Sequence, residues 1–177
     1  MSVKIIHITG ASGSGTTTIA KAIQEHFGYT HLDTDDFFWE DTDPPFTQKT
    51  SLHERRLKLG NAMKAAGKCV ISGSLTEWGD VFIPQFDLVL YVSTSTTVRL
   101  ERLRQRELQS FGDRILPGGD MFDNHQKFIQ WAAQYDTGGP DMRSAGHHKK
   151  WLEQIPCPVI FLDGAAPLHE TLAKLPL

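Results

Sequence analysis

Cysteine is scarce. Cys69 and Cys157 stand far apart in a chain of 177 residues, and neither belongs to a C-x-x-C pair. That excludes the disulfide framework of a small secreted domain and fits a reducing, cytoplasmic compartment. Long apolar runs are missing too. A membrane-spanning helix needs about 18 or more consecutive apolar residues, and none occurs. The apolar start at residues 3–8 is too short for a secretion signal and runs straight into glycines. No membrane association is expected. Positive charge is not in excess either, since 18 Lys and Arg against 21 Asp and Glu leave a formal net charge of −3. No overall positive field gathers polyanions, which disfavours nucleic acid as a partner.

What the chain does have is a globular composition, 40% hydrophobic, 10% aromatic and 22% charged. That suffices to bury a core without disulfides or a structural metal. The length suits one domain over residues 1–177, monomeric or at most weakly dimeric.

Five short hydrophobic runs read as strands, at residues 3–9, 29–33, 69–72, 88–92 and 159–162. Between them lie helical patterns. Ile19, Ala20, Ile23 and Phe27 recur at helical spacing up to Gly28, and residues 52–66 and 93–112 follow the same rule. In the latter, Arg99, Arg102 and Arg106 form one basic stripe. Residues 112–119 read as a polar mobile loop, after which Asp120 caps a helix carrying Met121, Phe128, Ile129 and Ala132. A break at Gly138-Gly139-Pro140 precedes a helix through Trp151 and Leu152, and a short helix ends the chain. Strands alternating with helices predict an α/β fold, a parallel sheet covered on both faces, with ligands bound beyond the strand C-termini.

The first strand runs into Gly10-Ala11-Ser12-Gly13-Ser14-Gly15-Thr16-Thr17. This has the spacing of the phosphate-binding loop G-x-x-x-x-G-K-[ST], with Thr16 where lysine should stand. Glycines let several N–H groups turn onto phosphate oxygens, and the helix that follows adds the positive end of its dipole. Thr17 is placed to offer its hydroxyl to Mg2+. The dinucleotide fingerprint and the nucleophile elbow both require glycines that this segment lacks.

With that loop, the chain resembles the P-loop kinases of the nucleoside monophosphate kinase and shikimate kinase group, of which adenylate kinase is the best-known member. The resemblance implies a three-layer P-loop fold with strand order 2-3-1-4-5, an acceptor-binding insertion around residues 36–66 and a lid around 107–137. It implies ATP and Mg2+ as cofactors and a small-molecule phosphoryl acceptor. Asp33-Thr34-Asp35 is similar to the Asp-Thr-Asp segment of shikimate and gluconate kinases. By that similarity Asp33 holds Mg2+ through water, and Asp35 orients or deprotonates the acceptor. Arg102 and Arg106 resemble the paired arginines at the start of the lid that grip nucleotide phosphates, and Arg143 resembles the arginine beyond the lid. Arg55 and Arg56 are candidates for a second phosphate.

Two departures stand out, the missing lysine and Ser72-Gly73-Ser74-Leu75-Thr76-Glu77-Trp78 in place of the adenylate kinase pattern Asp-Gly-Phe-Pro-Arg. The expected reaction is transfer of the γ-phosphoryl of ATP to a nucleoside monophosphate. A small non-nucleotide alcohol is the alternative acceptor, and a nucleotide-binding regulatory module with little transfer is the alternative to an enzyme. Trp39, Phe46 and Trp78 are candidates for the acceptor pocket. His147 and His148 are expected to be solvated, since no Cys/His spacing suits zinc.

Overall fold

The computed structural model describes residues 3–139 and 141–177, so Pro140 of the predicted break lies outside the described residues. Five parallel strands, β1 (Ile5–Gly10), β2 (Thr30–Asp33), β3 (Cys69–Ser72), β4 (Leu88–Ser93) and β5 (Val159–Asp163), form one sheet in the order β2-β3-β1-β4-β5. The predicted order holds. β1 is central, with Ile8 opposite Ser72 of β3 and Leu90 of β4.

Alternation along β1 divides the core between the two faces of the sheet. Ile6 and Ile8, with Val70, Leu88, Leu90 and Val92, pack with Ile19, Ala20 and Ile23 of α1 (Thr16–Phe27). Ile71 and Val89 point the other way, onto Leu59 and Met63 of α3 (Leu52–Ala66) and onto Trp78, Phe82, Phe86 and Trp151. These side chains are almost wholly buried. At roughly 1.5–3 kcal/mol for each large apolar side chain, they hold the three layers together.

Between β2 and β3 lie the single turn α2 (Asp35–Phe38), the loop of residues 39–51, and α3, whose N-cap Ser51 accepts from the Glu54 amide. Beyond β4 run α4 (Thr96–Phe111), a 3-10 turn at Gly112–Ile115, α5 (Phe122–Ala133), and α6 (Ala145–Leu152). Leu103 of α4 packs on Ile129 and Ala132 of α5. α7 (Leu168–Ala173) follows β5. Among the described residues no helix is long and apolar enough to cross a membrane.

Three local expectations are corrected. Asp120 does not cap α5. Met121 occupies that position, and the Asp120 carboxylate is held by Arg114 at 2.6 and 2.9 Å. The loop of residues 112–119 is shaped by that pairing and by its 3-10 turn. Arg99 does not belong to an exposed basic stripe, because its side chain is buried under the glycine loop. There it donates to the carbonyls of Thr94, Ser12 and Ala132 and pairs with Asp136. His148 is fully buried. Residues 80–85, which carry Pro84 and no clear sequence signal, form a 3-10 helix.

Candidate active site

The strand C-termini deliver the glycine loop to one edge of the sheet. Gly13 has φ +80°, and a Cβ there would lie 2.7 Å from the Arg99 carbonyl oxygen, so the loop needs glycine to fold over α4. α1 starts from Gly15 without a side-chain cap and without an acidic residue in its first turn. Its first amides are therefore free for an anion, which the helix dipole favours.

Thr17, in the first turn of α1, donates from Oγ1 to Asp33 Oδ2 at 3.2 Å. Asp33 ends β2, and its other oxygen, Oδ1, accepts from the Asp35 amide at 3.1 Å. On the neighbouring strand, Ser72 donates to Asp33 Oδ2 at 3.4 Å and meets His31 Nε2 at 2.8 Å. A hydroxyl and a carboxylate are hard oxygen donors, the kind Mg2+ takes alongside water and substrate phosphate. Among the described residues no cluster of three or more His, Cys, Asp or Glu forms an all-protein cation cage, and Mg2+ does not require one. The two side chains fit the ion.

Asp35 opens α2 immediately beyond. It is reached by solvent but set in a crowded crevice, and lost hydration followed by the charge of Asp33 raises its carboxyl above the ordinary value, against Arg143 and Arg106. Gly73, at φ +114°, lets the end of β3 pass under this turn, because a Cβ there would land on Thr34 Oγ1.

The predicted arginines take different places. Arg143 Nη2 donates to Ser12 Oγ at 2.9 Å, inside the glycine loop, with its guanidinium 4.7 Å over the Trp131 ring. Arg102 lies on the rim of the loop and donates to the carbonyls of Gly164 (3.0 Å) and Ser14 (3.5 Å). Arg106 is exposed and pairs with Glu107 at 3.4 Å. Arg55 and Arg56 stand apart from the loop. Arg56 donates to the carbonyls of Trp78 and Glu77, whereas Arg55 lies 4.2 Å over Phe38 and donates to the Thr50 carbonyl. Trp78 is a buried core residue that donates to the Ser74 carbonyl. Trp39 and Phe46 stand in an aromatic row that continues to Phe111 of α4. Arg114 closes the same side by reaching Asp43 at 2.6 Å.

A family model described as an AAA domain matches residues 6–113, more than half of the chain, including the glycine loop, Asp33, Asp35, Ser72, Arg102 and Arg106. The chain belongs to this AAA-domain family. The uncharacterized protein YqaC of Bacillus subtilis is 37% identical over 172 residues, 97% of this chain and 95% of its own length. A cytidylate kinase of Pyrococcus furiosus is 30% identical over 113 residues, 58% of this chain and 57% of that enzyme. Among solved structures, a gluconokinase from Sinorhizobium meliloti matches with TM-score 0.54 and 16% identity, over 96% of this chain and 87% of that one. A shikimate kinase from Bacteroides thetaiotaomicron matches with TM-score 0.51 and 15% identity, over 98% and 96%. The fold is that of the P-loop kinases.

The P-loop kinase fold of this member also carries a polar network that the sequence reading missed. Tyr91 and Tyr135 share a hydrogen bond (2.9 Å), Tyr135 meets His148 Nδ1 (2.6 Å), and Ser74 meets His148 Nε2 (3.5 Å). Burial, followed by the neighbouring Arg143, holds His148 down to about 3. One sequence signal was available. His148 stands three residues before Trp151, and so on the same buried face of α6. His7, on the central strand, is also fully buried, stacked on Phe86, and pushed by burial down to about 4.

Proposed function

We propose that the protein is an Mg2+-dependent kinase that moves the γ-phosphoryl group of ATP to a small acceptor. The observation that carries this reading is the Thr17–Asp33 hydrogen bond at 3.2 Å beside a glycine loop whose helix start is left open for an anion. Residues 10–17 cradle the donor phosphates through backbone amides, including those of Ala11, Gly13 and Thr16. Thr17 and Asp33 hold the cation, which when bound supplies charge neutralisation at the β- and γ-phosphates. Arg102 and Arg106 attend the donor from the α4 side.

In the transfer, a bond forms between an acceptor oxygen and the γ-phosphorus while the bond from that phosphorus to the β–γ bridging oxygen breaks, releasing ADP. Asp35 faces the acceptor, orienting it or receiving its proton.

A nucleoside monophosphate is the main reading of the acceptor, supported by the cytidylate kinase relatives and by Arg55 and Arg56 in the insertion. One observation favours the second reading, a non-nucleotide alcohol. A carboxyl raised above its ordinary value is a better proton acceptor. A hydroxyl acceptor must lose a proton, whereas a phosphate oxygen arrives without one.

A coupled assay with AMP, CMP, UMP, dTMP, gluconate and shikimate, beside a direct ATP titration, tests the reading. Transfer to one acceptor class is the expected outcome, and ATP binding with no transfer to any would support a regulatory module instead. With a hydroxyl acceptor, the rate should fall as pH drops through an apparent value above that of an ordinary aspartate, because the charged carboxylate is the working form. The Asp35→Asn variant should lose that limb of the profile.

A further inference from the structure

The loop lacks the ammonium group that the motif normally carries to the β- and γ-phosphates, because Thr16 occupies that position. Some fixed cation must neutralise charge there if transfer is to be efficient, since phosphoryl transfer relies on positioning and charge more than on covalent chemistry.

Geometry separates the three arginines nearby. Arg106 points outward, and its partner Glu107 takes up part of its charge. Arg102 spends its Nη1 on two backbone carbonyls at the rim, by Gly15. Arg143 enters the loop itself, where its Nη2 bonds the Ser12 hydroxyl at 2.9 Å. Its Nε is buried with no hydrogen-bond partner among the described residues. A buried guanidinium with an unspent donor is costly to keep. Burial pulls its pKa down, and the Asp35 carboxylate acts against that. A planar fork with one donor on a neutral hydroxyl and another unspent suits two oxygens of a phosphate.

The mounting is rigid. Arg143 immediately precedes Ser144, the N-cap of α6, which accepts from the His147 amide. α6 is pinned in turn by His148 on Tyr135 and by Trp151 Nε1 on Asp80 (2.7 Å). The guanidinium also rests on Trp131 of α5.

We propose that Arg143 takes over the charge-neutralising task of the missing loop lysine, with the Ser12 hydroxyl holding its place until the γ-phosphate of ATP arrives. The inference rests on the kinase reading above. It differs from a role in bridging two substrates in that Arg143 acts on the donor alone, before any acceptor binds.

The experiment uses the full chain, in wild-type form and as Arg143→Gln, Arg143→Lys and Thr16→Lys/Arg143→Gln, with folding of each verified by thermal unfolding. Calorimetric titration with Mg·ADP and with a non-hydrolysable Mg·ATP analogue, no acceptor present, gives the preference for triphosphate over diphosphate. Arg143→Gln should erase that preference, retain ADP binding and lower the transfer rate by about a hundredfold to a thousandfold. Arg143→Lys should keep part of the preference. Adding Thr16→Lys to Arg143→Gln should recover at least about tenfold of the lost rate, since the cation returns by the other route. Unchanged triphosphate preference in Arg143→Gln and Arg143→Lys, or loss without recovery in the double variant, overturns the proposal while leaving the kinase reading intact. A wild-type protein that binds neither nucleotide overturns both.

Discussion

On the proposed kinase reading, the donor side of the site and the acceptor side are built in different ways. On the donor side, residues 10–17, the end of β2 and Ser72 of β3 are held in register by the central strands, and each functional group sits at or beside a strand end. On the acceptor side, the loop of residues 39–51 reaches Phe111 and Arg114 through an aromatic row and an exposed ion pair, Arg114 with Asp43. One side borrows its rigidity from the sheet. The other is joined by contacts on side chains open to water, which contribute little to stability individually. The proposed reading thus puts the chemistry on the scaffold and the selection of the acceptor on the more yielding part.

The largest effect should come from the donor side. Asp33→Asn or Thr17→Val should lower phosphoryl transfer by about a hundredfold to a thousandfold and weaken the Mg2+ dependence, as read in steady-state kinetics against Mg2+ concentration. If either variant keeps full activity, the rigid side is not where the chemistry lies.

Two buried histidines beneath the site give the next effect. His7 and His148 are folded in their neutral form, with His7 held near 4 and His148 near 3 against an ordinary 6.5. The unfolded chain therefore binds protons that the native chain refuses. Stability is full above about 6.5 and falls as pH drops towards 4, with His7 alone worth about 3 kcal/mol of loss once both states would be protonated. Asp35 works in the opposite sense, since its raised carboxyl makes the native state hold its proton longer, and that contribution declines as pH rises past 3.8. Denaturant titrations between pH 7 and pH 4.5 should show the histidine trend, and His148→Gln should flatten it. A flat profile in the wild type would show that these histidines are not held neutral by the fold.

The smallest effect belongs to the acceptor side. Arg114→Ala should leave the melting temperature almost unchanged, because the side chain is exposed, while raising the acceptor KM more than it lowers kcat. An equal fall in kcat would place Arg114 with the donor machinery instead.

The same contrast governs what could be seen in the sequence. The donor side is contiguous, since strand, glycine loop and helix follow one another within residues 5–27 and the Asp-Thr-Asp segment comes shortly after. Local pattern was therefore enough for the strands, the glycine loop and the place of Thr17, and the family resemblance carried by this stretch supplied the sheet order and the role of Asp33. Arg99 was misplaced because helical spacing shows a stripe but does not show what lies against it, here the underside of the glycine loop. His148 was read as solvated because its partners, Tyr135, Tyr91 and Ser74, come from three separate segments that only the fold brings together. Arg143 was singled out from sequence, but its contact with Ser12 spans 131 positions and no local signal encodes it. Trp78 looked like pocket lining because aromatics cluster near strand ends, yet its indole is spent on the core and on the Ser74 carbonyl.

The claim on which all else depends is that this glycine loop binds a nucleoside triphosphate without a lysine of its own. Isothermal titration of the purified wild-type chain with ATP, in the presence and absence of Mg2+, measures it directly. Saturable one-to-one binding that tightens with Mg2+ is the predicted result. No heat of binding for ATP or any other nucleoside triphosphate with Mg2+ present, from a chain shown to be folded, would contradict it.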